Sequence, residues 1–358
     1  MNHNIESIKT LKKVRGLFNL AIQKNMPVDD LKTKLKVLYS EFSCCKSQLG
    51  GLCGFEFNVE DKTFFYVENL SKRGSLSKLQ LTLNAYGCPP PFYVIGEGDF
   101  IKRIHELKND QEFNELVYSI FTPNTMSTIY NQMFVPSKIM SQQTNVIFES
   151  MEAYWLGMDY ISTDSLITAL EASLRDLIDS ITKQRPNTKF EKYLRKLAIS
   201  KLSHMNHQID SIYWYPYKQD RDSGFDINEQ FSKDEYDFLI LTNTISDAIN
   251  AFRIWFNEVL YKGCDNKNAT FTLNRHLFLH GFSKRVAKPV YFPLMIWALL
   301  GVIYIESMFN NGGHLLFPVA DEKDKRLENY FKLIYKNQGE VMRRFARMSG
   351  VSYGKNEN

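Results

Sequence analysis

Arginine and histidine are the residues of this chain whose types and spacing point most directly to chemistry. The run Asn274-Arg275-His276-Leu277-Phe278-Leu279-His280-Gly281 sets an arginine five positions before a histidine, with a second histidine directly after the arginine. Histidine takes or gives a proton near neutral pH. Arginine grips a phosphate through two parallel N–H donors and offsets the charge that grows on it in a transition state. Those are the two groups that metal-free RNA cleavage needs. The histidines also form close pairs, His204/His207 at i, i+3 and His276/His280 at i, i+4, and each pair would share one helix face. Four imidazoles are the number a zinc ion accepts, so a histidine-ligated metal hydrolase is an alternative. Phosphate-loop and H-E-x-x-H signatures are absent, and Gly96-Glu97-Gly98 lacks the rest of a dinucleotide loop.

Asn274 is placed to cap a short helix that Arg275 and His276 open and that ends at Gly281. The run lies between two apolar helical segments, 238–261 and 290–309. On a regular helix, five positions separate two residues by about 7.5 Å and roughly 140° around the axis. Arg275 and His280 therefore meet at one phosphate either by the reach of the arginine or by pairing across two copies of the chain.

The segment Arg275 to His280 resembles the R-x4-6-H motif of HEPN-domain ribonucleases, a family of toxins, abortive-infection proteins and CRISPR-associated RNases. A polar residue often follows the arginine in that family, and His276 stands there. The resemblance covers residues ~151–348 and implies an α-helical bundle with the motif near the start of a late helix. It implies a metal-independent endoribonuclease, needing no cofactor and working as a homodimer whose two motifs share a cleft. The ribose 2′-hydroxyl attacks the adjacent phosphate, leaving a 2′,3′-cyclic phosphate and a 5′-hydroxyl. In those terms His280 is the general acid or base, Arg275 the phosphate clamp and His276 a supporting contact. A HEPN-like module that binds RNA, nucleotide or a protein without cleaving is the other alternative.

The rest of the 358 residues must position that run. The charge balance of 44 − 40 = +4 identifies no partner by itself, yet it is unevenly spread. Residues 183–201 hold Lys183, Arg185, Lys189, Lys192, Arg195, Lys196 and Lys201 against Glu191 alone. Lys284, Arg285 and Lys288 follow the motif and, with Asn274, are the expected RNA-binding residues. Residues 1–150 read as an α+β domain, expected to sense a trigger or bind an antitoxin or other regulatory partner. Two amphipathic helices come first, the second extending through Leu31, Leu35, Leu38 and Phe42. A hairpin follows, Phe55 to Val59 and Phe64 to Val67, with a further strand at Leu79, Leu81 and Leu83. Residues 151–348 read as a helical bundle, with Asp164 capping its first helix, and 349–358 as a polar tail. The aromatic run Tyr213-Trp214-Tyr215-Pro216-Tyr217 suits core packing or base stacking. Five cysteines without a C-x-x-C pair indicate a reducing, cytoplasmic setting. The apolar stretch from Val290 to Ile305 is too short for a bilayer span of about 20 residues, so no membrane partner is expected.

Overall fold

The computed structural model describes residues 2–93, 97–187, 189–219, 231–262, 273–279, 288–310 and 316–348. It is mostly helical, with one small antiparallel sheet near the N-terminus. The chain divides into two compact units, Met1–Lys78 with Leu194–Asn250, and Leu79–Tyr193 with Ala251–Asn358.

In the first unit, helices α1 (Asn2–Gln23) and α2 (Val28–Leu38) precede strands β1 (Phe42–Leu49), β2 (Leu52–Val59) and β3 (Lys62–Tyr66). The sheet order is β1-β2-β3, with Leu49 opposite Leu52 and Phe57 between Cys44 and Phe64. Gly50, at φ +57°, makes the first turn. A Cβ there would also sit 2.3 Å from the Thr242 carbonyl oxygen, so only glycine fits.

Alternation along the strands sends two apolar sets to opposite faces. Phe57, Val59, Phe64 and Tyr66 pack on Leu11, Val14, Phe18, Leu31 and Leu35 of the two helices. Phe18 stacks on Phe64 at 4.9 Å and meets the edge of Phe57 at 5.2 Å. Leu49, Leu52, Phe65 and Val67 instead pack on Leu202, Met205, Ile209, Ile212, Phe238 and Leu239. That second face explains why the compact units do not part at residue 150: residues 194–250 cover what α1 and α2 leave open. Tyr215 is a core residue on that face, and Trp214 is one on the face that α1 and α2 cover. The Phe65 amide donates to the Trp214 carbonyl at 2.7 Å, and the Trp214 indole donates to Asn19 at 2.9 Å. The stacking-loop alternative does not hold for those two rings.

Three local expectations are corrected. Phe42 opens β1 rather than continuing α2, which ends at Leu38. Leu79, Leu81 and Leu83 lie on helix α3 (Leu76–Leu83), where Leu76, Leu79 and Leu83 fall at i, i+3, i+7 and Leu81 is exposed. Asp164 lies inside the helix Asp159–Thr182, not at its start.

The second unit is built around the helix Tyr291–Phe309, apolar on every side. It is long and apolar enough to cross a membrane by length and composition, but 78% of that stretch is buried inside the structure. Phe292 stacks on Tyr154 at 4.3 Å, Tyr304 on Phe92 at 4.4 Å, and the Trp297 indole donates to the Phe92 carbonyl at 3.2 Å. A Cβ on Gly301 would lie 2.7 Å from the Phe252 ring, so glycine permits this close approach. The C-terminal helix Glu340–Met348 is tied in by Arg343, which meets the buried Asp159 carboxylate at 2.7 Å and the Tyr154 carbonyl at 2.8 Å. Cys44, Cys45, Cys53 and Cys88 are free thiols.

Asp247 caps α3 inside the first unit, accepting from the amides of Leu76 at 2.6 Å and Ser77 at 3.1 Å. Burial raises its carboxyl pKa against the pull of those donors. Asp247→Ala strands both amides in a half-buried place. We expect a loss of about 2 kcal/mol of stability, read as a lower urea midpoint, with Asp247→Asn losing less because one acceptor remains.

Candidate functional site

The motif opens the helix Arg275–Leu279 in the second unit. Asn274 caps it as expected: its Oδ1 accepts from the His276 amide at 2.9 Å, and its Nδ2 donates to the Lys262 carbonyl at 2.7 Å. Asn274 is buried, and these bonds commit its side chain to holding the turn rather than to a substrate. Phe278 anchors the other end of the helix. Its ring stacks on Tyr160 at 5.4 Å, and the Tyr160 hydroxyl donates to its carbonyl at 2.6 Å.

Arg275 is half-buried, and its partner is one the sequence reading did not include. Its Nε donates to Oε1 of Glu171, a carboxylate whose side chain is 8% exposed. The Tyr261 hydroxyl donates to the same oxygen. Arg175, one turn further along Asp159–Thr182, donates from Nη2 to Glu171 Oε2 at 3.2 Å. One buried carboxylate therefore serves two guanidinium groups and a phenol. Tyr261 extends the assembly: the Arg275 guanidinium carbon lies 5.2 Å from its ring centre, and the His276 imidazole meets it edge-on at 6.3 Å. Burial pushes the Tyr261 phenol up, and the hydrogen bond and charge of Glu171 push it further. Tyr261 thus stays a protonated donor at neutral pH. The charge sum of Glu171, Arg175 and Arg275 is −1 + 2 = +1. The ion pair engages Arg275 through Nε, so the outer edge of its guanidinium is not spent on Glu171.

Of the other expected site residues, His280, Lys284 and Arg285 lie outside the described residues. Lys288 is described, and its ammonium meets Asp110 at 3.4 Å in a solvent-exposed pair of a kind that contributes little. The basic stretch 183–201 is divided between the units. In the second unit Arg185 pairs with Asp176 at 2.9 Å and Glu191 with Arg253 at 2.7 Å; in the first, Arg195 lies over the Tyr236 ring at 4.5 Å. His204 and His207 are both exposed and belong to the first unit, whereas His276 belongs to the second. Among the described residues, no three histidine, cysteine or carboxylate groups come together as metal ligands. Glu171 and Arg175 carried one legible signal, an acid and a base at i, i+4 on a predicted helix. Tyr261 carried none.

No protein-family model, curated protein or solved structure matches the chain.

Two predictions follow from these contacts. Glu171→Gln leaves two half-buried guanidinium groups without their counter-charge. It should cost about 2–3 kcal/mol, whereas Tyr261→Phe should cost about 1 kcal/mol; equal midpoints for Glu171→Gln and wild type in chemical denaturation contradict this. The second concerns Asp164, on the same helix. Its Oδ1 is buried without a hydrogen-bond partner, and burial raises its carboxyl pKa. A folded-state pKa above the unfolded one means that stability falls as pH rises through that range. Asp164→Asn should therefore raise the thermal midpoint at pH 7, with the gain shrinking as pH falls toward about 4.

Proposed function

We propose that the chain is a metal-independent endoribonuclease of the HEPN type, acting in the cytoplasm as a homodimer. The observation that carries the reading is the single buried carboxylate shared by two guanidinium groups at the start of the motif helix. Glu171 orients Arg275 and Arg175 and cancels one of their two charges. The positive charge that remains suits a phosphodiester, and water exclusion around Glu171 strengthens its pull. His276 stands on the same short helix, and His280 closes the motif in sequence.

In the proposed reaction His280 accepts the proton of a ribose 2′-hydroxyl. The 2′-oxygen attacks the adjacent phosphorus, and the bond from phosphorus to the 5′-oxygen breaks. A second acid returns a proton to the leaving 5′-oxygen, from His276 or from the motif of the other copy. Arg275 holds the non-bridging oxygens while their charge grows. The biological role we assign is that of a toxin or antiviral effector, with the first unit receiving the trigger or a regulatory partner.

A second reading has its own support. The bonds from Arg275 and Tyr261 to Glu171 also serve to fix the helix, and the same anion site would serve a module that binds RNA without cutting it. Purified protein, mixed RNA and a chelator distinguish the two. The nuclease reading expects cleavage that survives chelation and falls more than about a hundredfold in Arg275→Ala and His280→Ala, the size of loss typical of general acid–base and oxyanion groups. RNA binding with no cleavage by wild type, weakened in Arg275→Ala, favours the binding module. Cleavage that the chelator abolishes contradicts both.

A further inference from the structure

The first unit contains a cavity of about 780 Å³ where the β1–β2 hairpin meets the turn Leu70–Lys72. That is within the size range of small-molecule and cofactor sites, about 300–1,000 Å³. Its lining is chemically specific. Lys46, Lys72 and Arg73 bring three cationic groups to one concavity, against the single carboxylate of Glu68 among the lining residues. None of these four has an ion-pair partner among the described residues. Like charges gathered in this way repel one another, and a bound anion relieves the repulsion.

The cationic turn is held before any ligand arrives. Asn69 takes the left-handed backbone conformation at φ +54°, and the Lys72 amide closes back on the Asn69 carbonyl at 2.9 Å. Lys78 Nζ donates to the Arg73 carbonyl at 2.7 Å, and Ser71 Oγ donates to Asn25 at 3.0 Å. On the strand side, Lys46 stands directly across from Phe55 and Gln48 from Cys53, so these side chains share one sheet face. Phe55 is half-buried, packed beneath against the apolar core and lining the cavity above. An aromatic surface beside cations, with Gln48 and Asn69 among the lining residues, matches a flat heterocycle joined to phosphate. Side-chain amides both donate and accept at a base edge, and Phe55 offers a stacking platform.

We propose that this cavity is a nucleotide site, binding a nucleoside phosphate either as a free nucleotide or as the phosphorylated end of an RNA strand. Lys46, Lys72 and Arg73 hold the phosphates, Phe55 carries the base, and Glu68 accepts from ribose hydroxyls. The site is independent of the motif in the second unit and stands whether or not that motif cuts RNA.

The test is isothermal titration of the full chain with ATP, with a 5′-phosphorylated tetraribonucleotide and with inorganic triphosphate. Thermal unfolding of each variant confirms that it is folded; Lys46, Lys72 and Arg73 are exposed, so their substitution leaves the core intact. ATP or the tetranucleotide is expected to bind more tightly than triphosphate, and whichever is tighter identifies the source of the ligand. K72A/R73A should weaken binding at least tenfold, the scale of one lost charge-assisted contact. Phe55→Leu should weaken the nucleotides while leaving triphosphate unchanged, and Arg275→Ala should leave all three unchanged. No binding of any probe at millimolar concentration overturns the proposal. So does triphosphate binding as tightly as ATP with Phe55→Leu silent, or binding that disappears in Arg275→Ala while K72A/R73A retains it.

Discussion

One buried carboxylate sets the terms for the second unit. Glu171 lies on the long helix Asp159–Thr182, and a carboxylate buried there needs donors to replace the water it has lost. Arg175 comes from its own helix, Arg275 from the motif helix and Tyr261 from the end of another helical stretch. Each of the three segments is thereby tied to the others at one atom group. Removing the carboxylate leaves two cations facing each other, and removing a cation leaves a negative charge out of water. Under the proposed function, an arginine oriented in this way is a pre-set anion clamp, because little side-chain freedom remains to be lost on binding.

The first unit rests on a different constraint. A three-stranded sheet with apolar residues on both faces needs cover on both sides, and only one side is covered by neighbours in sequence. Helices α1 and α2 precede the strands and take one face, while the segment from Leu202 to Leu239 takes the other. The hairpin end of the sheet projects past the packed rings of Phe57 and Phe64, and there Lys46 and Gln48 replace apolar residues on the same face. The pattern along β1 therefore separates a core-building half from a half that faces the cavity.

Local patterns were legible in the sequence, and long-range partners were not. The two opening helices, the hairpin, the buried apolar helix Tyr291–Phe309 and the Asn274 cap all follow from periodicity and capping chemistry acting over a few positions. Leu79, Leu81 and Leu83 misled because leucines two apart also occur on a helix when another stands at 76. Asp164 misled because a good capping residue also occurs mid-helix, and the helix begins five residues earlier, at Asp159, whose carboxylate holds Arg343. The packing of residues 194–250 on the sheet depends on contacts more than a hundred positions apart, which no local pattern records. The site divides in the same way. Arg275, His276 and Asn274 were visible as a motif, but the pairing of Arg275 with Glu171 spans 104 positions, and Tyr261 carries no distinguishing neighbour.

The central functional claim is that the oriented arginine and the motif histidines direct a ribose hydroxyl, rather than water, at phosphorus. The chemistry at the cut ends tests it most directly. Mass spectrometry of a defined oligoribonucleotide cut by the purified chain in chelator should find a 2′,3′-cyclic phosphate on one fragment and a 5′-hydroxyl on the other. The same oligonucleotide carrying a 2′-O-methyl group at the cut position should stay whole. Fragments ending in a 3′-hydroxyl and a 5′-phosphate, or cleavage of the methylated strand at that position, would contradict the account.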